Sequence, residues 1–469
     1  MPQLLLVDFK WAKDKKNTDE NALKIARVLE FGCGINSAYS GYAIAHQSHQ
    51  SEGDILYRMV FNKIGQNYDR VIFGHKEFVT SRLDDTIHKL NQQTPGKYSK
   101  LWVGKPEEMS YAYADPYKLN DNTQSVLKNL SSKDCILIPG FFSEECMTFA
   151  CQLDNYLKNY NIPADVINSH SSVIALTQDK AVYAYLDQSE HLKTELVRLG
   201  SLSQIKKTQK MMDVPGDKLV IKPTSAEGGK GVIVIDKKDL PHYLNFIFWI
   251  QTSKPTQEEI AEVIERTKLN IDSAHKSIQY WKNSFASREG KDFVLIQEFK
   301  ESKAIDDYDP TGRMVFMVDN EANVKFVDGY WKFPLHTQNA MVPESNKHVS
   351  DFNTNGSLSR KISEEDSKAI QASLAPVISR IVKKATQQSL PELINQMKND
   401  PDEDFRDYAK IVLEKKFSEI LKTVSPVIPQ AQPIPVMSNS AHSFVAFRND
   451  FKNDAEVESE QTLKKKRLS

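Results

Sequence analysis

Residues 217–235 constrain this chain more than any other part of it. Leu219, Val220 and Ile221 read as an apolar strand that ends in Lys222. A small polar loop carrying Gly228, Gly229 and Gly231 follows, and Val232, Ile233, Val234 and Ile235 read as a second strand. Glycine has no Cβ, so backbone N–H groups in such a loop can approach an anion closely. A lysine on the preceding strand adds a point charge suited to phosphate. A P-loop is excluded: Thr224 stands where its first glycine belongs, and Lys230 leads into strand formers rather than a helix. By itself the stretch fits two readings, an ordinary β-hairpin with a glycine turn or a nucleotide held between two strands and a flap.

With 469 residues the chain exceeds what one core supports and implies two or three domains. Hydrophobic content of 40% and charged content of 26% are those of a soluble globular protein. The net charge of −1 gives no long-range field, so neither nucleic acid nor an anionic membrane is expected as a partner. The apolar run Leu4-Leu5-Leu6-Val7 lacks a basic lead and reads as a first strand rather than a signal peptide. No apolar stretch approaches the length of a membrane span. Cys33, Cys135, Cys146 and Cys151 show no metal-binding spacing and read as buried thiols of a reducing compartment, which gives a cytoplasmic expectation. His46 and His49 form the one close histidine pair, with no cysteine or carboxylate beside them, so zinc is not expected.

Residues 1–165 alternate short apolar strands (around Leu4, Ile72, Trp102 and Ile136) with amphipathic helices, one of them capped at Ser143 and running to about Tyr160. Such alternation argues for a parallel, Rossmann-like sheet, although no GxGxxG is present to bind a dinucleotide. Val166, Ile167 and Asn168 give another strand, and a helix bearing Lys180 is expected to run to about Leu199. Residues 240–288 turn helical, with Trp249, Ile260, Val263, Ile264 and Leu269 as an apolar stripe. Residues 293–299 read as a buried strand, and 313–318 with 324–330 as a hairpin. Ser363-Glu364-Glu365-Asp366 opens a helical region that reaches about Thr423. A proline-rich segment and a charged tail follow.

Six short motifs in this order resemble the ATP-grasp superfamily, in its glutathione synthetase and ribosomal-protein glutamate ligase branch. They are Val166-Ile167-Asn168 with Asp179-Lys180, Val220-Ile221-Lys222-Pro223 with the glycine loop, Leu295-Ile296-Gln297-Glu298-Phe299, 312–319 with Arg313, Tyr330-Trp331-Lys332-Phe333-Pro334, and 350–356 with Asn353. The resemblance covers about 165–375. It implies an α/β (α+β) architecture: a Rossmann-like domain over 1–165, an ATP-grasp domain over 166–385, and a helical extension and tail over 386–469.

The resemblance also implies chemistry. Lys180 and Lys222 would bracket the α- and β-phosphates of ATP, with a solvated helix lysine as the alternative for Lys180. Gly228, Gly229, Lys230 and Gly231 would close over the β- and γ-phosphates. Gln297, Glu298 and Phe299 would meet the adenine, with a plain strand-end charge as the alternative for Glu298. Strand alternation puts Arg313, Val315 and Met317 on one face, and Phe326, Asp328, Tyr330 and Lys332 on one face. Asp and Lys on the side of an apolar strand imply a polar cleft. There Arg313 and Lys332 would be catalytic, holding a substrate carboxylate and the acyl phosphate made from it; the alternative is two surface salt bridges worth at most about 1 kcal/mol. The family's Mg²⁺ is held by an acid on one late strand and a Glu-x-Asn on the next. No Glu-x-Asn strand follows residue 375, and the one late strand candidate is 442–450. Asp328 and Asn353 are the alternative metal ligands.

The implied activity is an ATP-dependent carboxylate–amine ligase acting through an acyl phosphate, on a small-molecule or peptide carboxylate and an amine acceptor. The rivals are a nucleotide-binding module without turnover and a small-molecule kinase. Dimers and tetramers are common in similar families, so the resemblance admits a homo-oligomer.

Overall fold

The computed structural model describes residues 2–13, 24–33, 62, 64–74, 81–101, 127–138, 144–187, 192–225, 229–273, 275–283, 292–349 and 359–424. They fall within one compact unit, Met1–Pro426. Ser143, Gly228, Asn353, the His46/His49 pair and the candidate strand at 442–450 lie outside the described residues. The chain is a mixed α/β protein. Among the described residues no helix is long and apolar enough to cross a membrane.

Thirteen strands are present among the described residues: β1 (Gln3–Lys13), β2 (Lys24–Cys33), β3 (Arg70–Gly74), β4 (Tyr98–Leu101), β5 (Asp134–Leu137), β6 (Asp165–Ile167), β7 (Thr194–Arg198), β8 (Lys218–Pro223), β9 (Ile233–Asp236), β10 (Phe293–Glu298), β11 (Thr311–Val318), β12 (Val324–Lys332) and β13 (Ser359–Lys361). They form three sheets. One is parallel, in the order β4-β3-β5-β6. The second is antiparallel, in the order β7-β10-β8-β9. The third is antiparallel and five-stranded, in the order β13-β12-β11-β1-β2.

The first strand of the chain therefore corrects the sequence reading. It does not join the parallel sheet but pairs antiparallel with β11, across about three hundred residues of sequence, from Gln3↔Val318 to Phe9↔Gly312. Leu4, Leu5, Leu6, Val7 and Phe9 are all buried, as the continuous apolar run of a strand covered on both faces requires. Gly312 is what lets β1 and β11 lie flat here, because a Cβ at that position would meet the Phe9 ring at 2.1 Å. Phe9 in turn packs on Trp331 with ring centroids 5.7 Å apart.

A second correction concerns residues 194–198. The helix expected through Leu199 ends as two short ones, Ser171–Gln178 and Lys180–Leu186, and Thr194–Arg198 is a strand. The break is Asp179, whose extended backbone (φ −144°, ψ 115°) stops the first helix while its carboxylate caps the second. β7 is then held by cross-strand pairing with β10 from Thr194↔Gln297 to Arg198↔Phe293. Local propensity loses to that pairing.

The strand expected around Trp102 falls mostly outside the described residues; β4 ends at Leu101. β8 and β9 make the hairpin around the glycine loop, and β11 and β12 make the second hairpin, with Asp319 accepting from the N–H groups of Glu321 and Asn323 at its tip. Ser363 caps the helix Glu364–Thr386 by accepting from Asp366 N. Further helices, Leu390–Lys398, Glu403–Tyr408 and Ser418–Val424, follow with a π-helical turn at Ala409–Leu413. Cys135, Cys146 and Cys151 are buried.

One apolar core runs from the parallel sheet through the inner face of the five-stranded sheet to these C-terminal helices, while a second fills the space between the four-stranded antiparallel sheet and the helices of 240–283. Asn168 stitches the parallel sheet to β1. Its side chain accepts from Leu4 N at 2.6 Å and donates to Ile138 O at 2.9 Å, in a left-handed conformation (φ 69°) that asparagine tolerates. Asn168→Ala strands two buried backbone groups, and chemical denaturation should read a loss of about 2 kcal/mol or more. A change below about 0.5 kcal/mol would show that the stitch is not structural.

Candidate functional site

The strand registers explain how a charged cleft is built. Residues directly opposite in an antiparallel pair share a face. The registers Asp8↔Glu30, Asp8↔Arg313 and Arg313↔Tyr330 lay Glu30, Asp8, Arg313 and Tyr330 in one row across four strands. In the next row Thr311 stands opposite Lys332, and Lys10 falls two residues beyond Asp8 on the same face. The four-stranded antiparallel sheet contributes the row Val234, Val220, Gln297, Thr194. Side chains from these two faces line a single cleft that includes Asp8, Glu30, Lys180, Lys222, Arg313 and Lys332.

Asp8 is its electrostatic centre. Arg313 donates to both of its oxygens, from Nε at 2.6 Å and from a terminal nitrogen at 2.8 Å, and Lys332 Nζ donates at 2.5 Å. All three side chains are nearly inaccessible, at 5%, 11% and 6% for Asp8, Arg313 and Lys332. Burial would raise the Asp8 carboxyl, but the two cations and their hydrogen bonds outweigh it and hold it well below the usual carboxylate range. Lys332 is pushed down to about 8, by burial first and then by Arg313.

Lys222 is similarly buried. Its Nζ donates to Gln297 Oε1 at 2.8 Å and to Leu29 O at 3.0 Å. The second contact has a backbone cause. The β1–β2 register shifts between Asp8 and Phe9, so Leu29 is an extra residue in β2 with no opposite number. A bulge leaves such a residue outside the ladder, and here its carbonyl serves the lysine. Gln297 is fixed in turn by donating to Thr194 Oγ1 at 3.0 Å. Burial is the largest influence on Lys222 and pushes it down to about 8. Lys180 starts the helix Lys180–Leu186, and its Nζ lies 3.3 Å from Glu30.

Gly229, Gln297, Glu298 and Phe299 line the same cleft, so the motifs carrying Lys180, Lys222, the glycine loop, 297–299, Arg313 and Lys332 meet in one place. Lys230 is exposed and, like Gly231, is not part of the lining. Gly231 anchors the loop base instead: its φ is +76°, a Cβ there would meet Tyr280 at 2.6 Å, and its carbonyl accepts from Trp281 Nε1. Glu298 is ion-paired with Lys300, and its N–H donates to Lys193 O. Asp328 does not line the cleft. The register shift between Val315 and Phe316 makes Val327 the extra residue of β12, which leaves Asp328 opposite Val315, one row beyond Arg313, and puts Phe326 on the other face from Asp328.

Sequence reading missed Asp8, Glu30 and Lys10. The available signal was a charged pair at period two, Asp8 and Lys10, inside an otherwise apolar strand, the same pattern that marked Arg313 and Lys332. Lys10 Nζ is neutralised by Asp309 at 2.8 Å, which His348 also approaches at 2.8 Å.

Setting these local pairs aside, the charged groups among the described lining residues are Lys180, Lys222, Arg313 and Lys332 with Asp8 and Glu30, a surplus of positive charge when Lys222 and Lys332 are protonated. Charge of that sign suits a polyanion. Anion binding raises the pKa of a neighbouring lysine, so binding is strongest while Lys222 and Lys332 are already charged, below about pH 8. Calorimetric titration with inorganic triphosphate should give roughly tenfold or more weaker affinity at pH 9.5 than at pH 7, with proton uptake. Equal affinity at both values would remove the two lysines from the anion site.

No family model and no curated protein matches the chain. A solved structure, D-cycloserine synthetase DcsG, aligns with 68% of this chain and 82% of its own, at 12% sequence identity and a TM-score of 0.29. Likeness at that level carries no argument about this protein.

Proposed function

We propose that the chain is an ATP-dependent carboxylate–amine ligase of the ATP-grasp type, in which ATP lies between the two antiparallel sheets. The observation that carries this reading is the convergence of five of the six motifs on one cleft whose surplus positive charge suits a magnesium–triphosphate complex; the sixth, 350–356, lies outside the described residues. Lys180 and Lys222 hold the α- and β-phosphates. The glycine loop between β8 and β9 closes over the β- and γ-phosphates and excludes water. The main chain at 297–299 meets the adenine edge, while Val220 and Val234 offer it an apolar wall.

Arg313 and Lys332 hold the substrate carboxylate and the γ-phosphoryl group that it takes. One carboxylate oxygen takes the γ-phosphoryl group, giving an acyl phosphate and ADP. The amine then attacks the carbonyl carbon, the carbon–nitrogen bond forms, the bond to the phosphate oxygen breaks, and phosphate and a proton leave. The protein's contribution is positioning and charge stabilisation.

Mg²⁺ would be held from β1 and β2 rather than from late in the chain. Asp8 and Glu30 are the carboxylates on neighbouring strands inside the cleft. Mg²⁺ takes one or two carboxylates and leaves its other positions to phosphate oxygens and water. Bound there, Mg²⁺ would neutralise charge on the phosphates. The residues' own part is an exchange: Arg313, Lys332 and Lys180 rest on Asp8 and Glu30 without ligand and turn to phosphate oxygens with it.

One observation favours a second reading, an ATP-binding module without turnover. In Glu30-Phe31-Gly32 a glycine stands where Glu-x-Asn would supply an amide ligand. Purified protein with MgATP and a panel of amino acids and short peptides separates the readings. Amine-dependent phosphate release supports the ligase, tight binding without turnover supports the module, and a stable phosphorylated product supports a kinase. Lys222→Ala should weaken MgATP binding roughly tenfold or more, the scale of one charge-assisted contact. Unchanged affinity would overturn the assignment of the cleft.

A further inference from the structure

The C-terminal helices reach the nucleotide cleft through one buried carboxylate. Asp179 is 1% exposed and immediately precedes Lys180. Its Oδ1 accepts from Ala181 N at 3.0 Å and Val182 N at 3.3 Å, which fixes the first turn of the lysine-bearing helix. Its Oδ2 accepts from Tyr408 OH and from Lys416 Nζ, each at 2.8 Å. Lys416 also donates to Gln178 O at 2.8 Å. Every lone-pair direction of this carboxylate is thus used, half by the helix it caps and half by residues more than two hundred positions later.

Tyr408 makes the link more specific. The Thr224 side chain adjoins this hydroxyl and acts on its ionisation. Thr224 is the first residue of the glycine loop after β8, and its carbonyl accepts from Lys180 N at 2.8 Å. The tyrosine ring is fixed edge-on against Phe293 of β10, with centroids 5.1 Å apart. Burial and the adjacent Asp179 hold the phenol well above its ordinary value, so it remains a donor throughout the working range. A π-helical turn starts at the next residue, Ala409, a rare conformation that recurs at functional sites.

We infer that Tyr408 is a positioning residue of the nucleotide site, holding the helix start that carries Lys180 through Asp179, with Lys416 as its support. The C-terminal helical segment is therefore part of the phosphate-binding apparatus rather than an appended module. This inference rests on the nucleotide reading of the cleft.

The test is a double-mutant cycle on MgATP affinity, with the full chain and with each variant verified as folded by circular dichroism. Tyr408→Phe keeps the ring and removes only the hydroxyl. It should weaken MgATP binding roughly tenfold. In a Lys180→Ala background the same change should alter affinity by less than about twofold, because the group through which it acts is gone. An unchanged affinity for Tyr408→Phe, or an equal loss in both backgrounds, overturns the inference. If Tyr408→Phe does not fold, Lys416→Gln takes its place in the cycle with the same expectation. Failure of the unsubstituted protein to bind MgATP would instead overturn the nucleotide reading itself, so the two failures are distinguishable.

Discussion

Asp8 held between Arg313 and Lys332 is the interaction on which the rest of this structure depends. Three charged side chains on adjacent strands, each nearly sealed from water, are tolerable only as a set. Removing one member of a buried ion group typically costs about 3–5 kcal/mol, because the others are left uncompensated. The set therefore dictates that β1, β11 and β12 lie side by side in one register. The apolar face beneath reinforces that register through Phe9, Gly312 and Trp331.

The same charges explain why the cleft is more than a structural network. An ion cluster serving stability alone tends toward neutrality, as Lys10 with Asp309 and Glu298 with Lys300 do here. Lys222 is different: it sits buried against two neutral oxygens, Gln297 Oε1 and Leu29 O, with no carboxylate in direct contact among the described residues. Keeping an ammonium there costs solvation, seen as its pKa near 8. An incoming anion would repay that cost, and a bulge and a cross-strand amide are placed to hold the lysine in readiness.

Much of this was legible in the sequence, because the informative signals were local. The hairpin around the glycine loop, the buried strand ending at Gln297 and Glu298, and the charged alternation in Arg313 and Lys332 all follow from period two and from turn chemistry. What could not be read was non-local. Nothing in Leu4-Leu5-Leu6-Val7-Asp8 indicates that its partner lies at 311–318, so β1 was assigned to the sheet formed by its sequence neighbours. The carboxylates of the cleft were out of reach for the same reason: Asp8 and Glu30 stand far in sequence from its other residues and reach it by strand pairing. Thr194–Arg198 went to helix for the same reason, since only β10 makes it a strand. The bulges at Leu29 and Val327 were also invisible, and the second one separates Phe326 from Asp328.

The proposed function requires an exchange of partners: cations now on Asp8 and Glu30 would pass to a triphosphate, and the carboxylates would turn to its metal. A crystal structure with a non-hydrolysable ATP analogue and Mg²⁺ tests this most directly. The expected result is a triphosphate between the two antiparallel sheets, with Lys180, Lys222 and Arg313 on its oxygens and Asp8 and Glu30 facing the metal. An analogue bound elsewhere, or a cleft in which Arg313 and Lys332 still grip Asp8 with the nucleotide present, would contradict it.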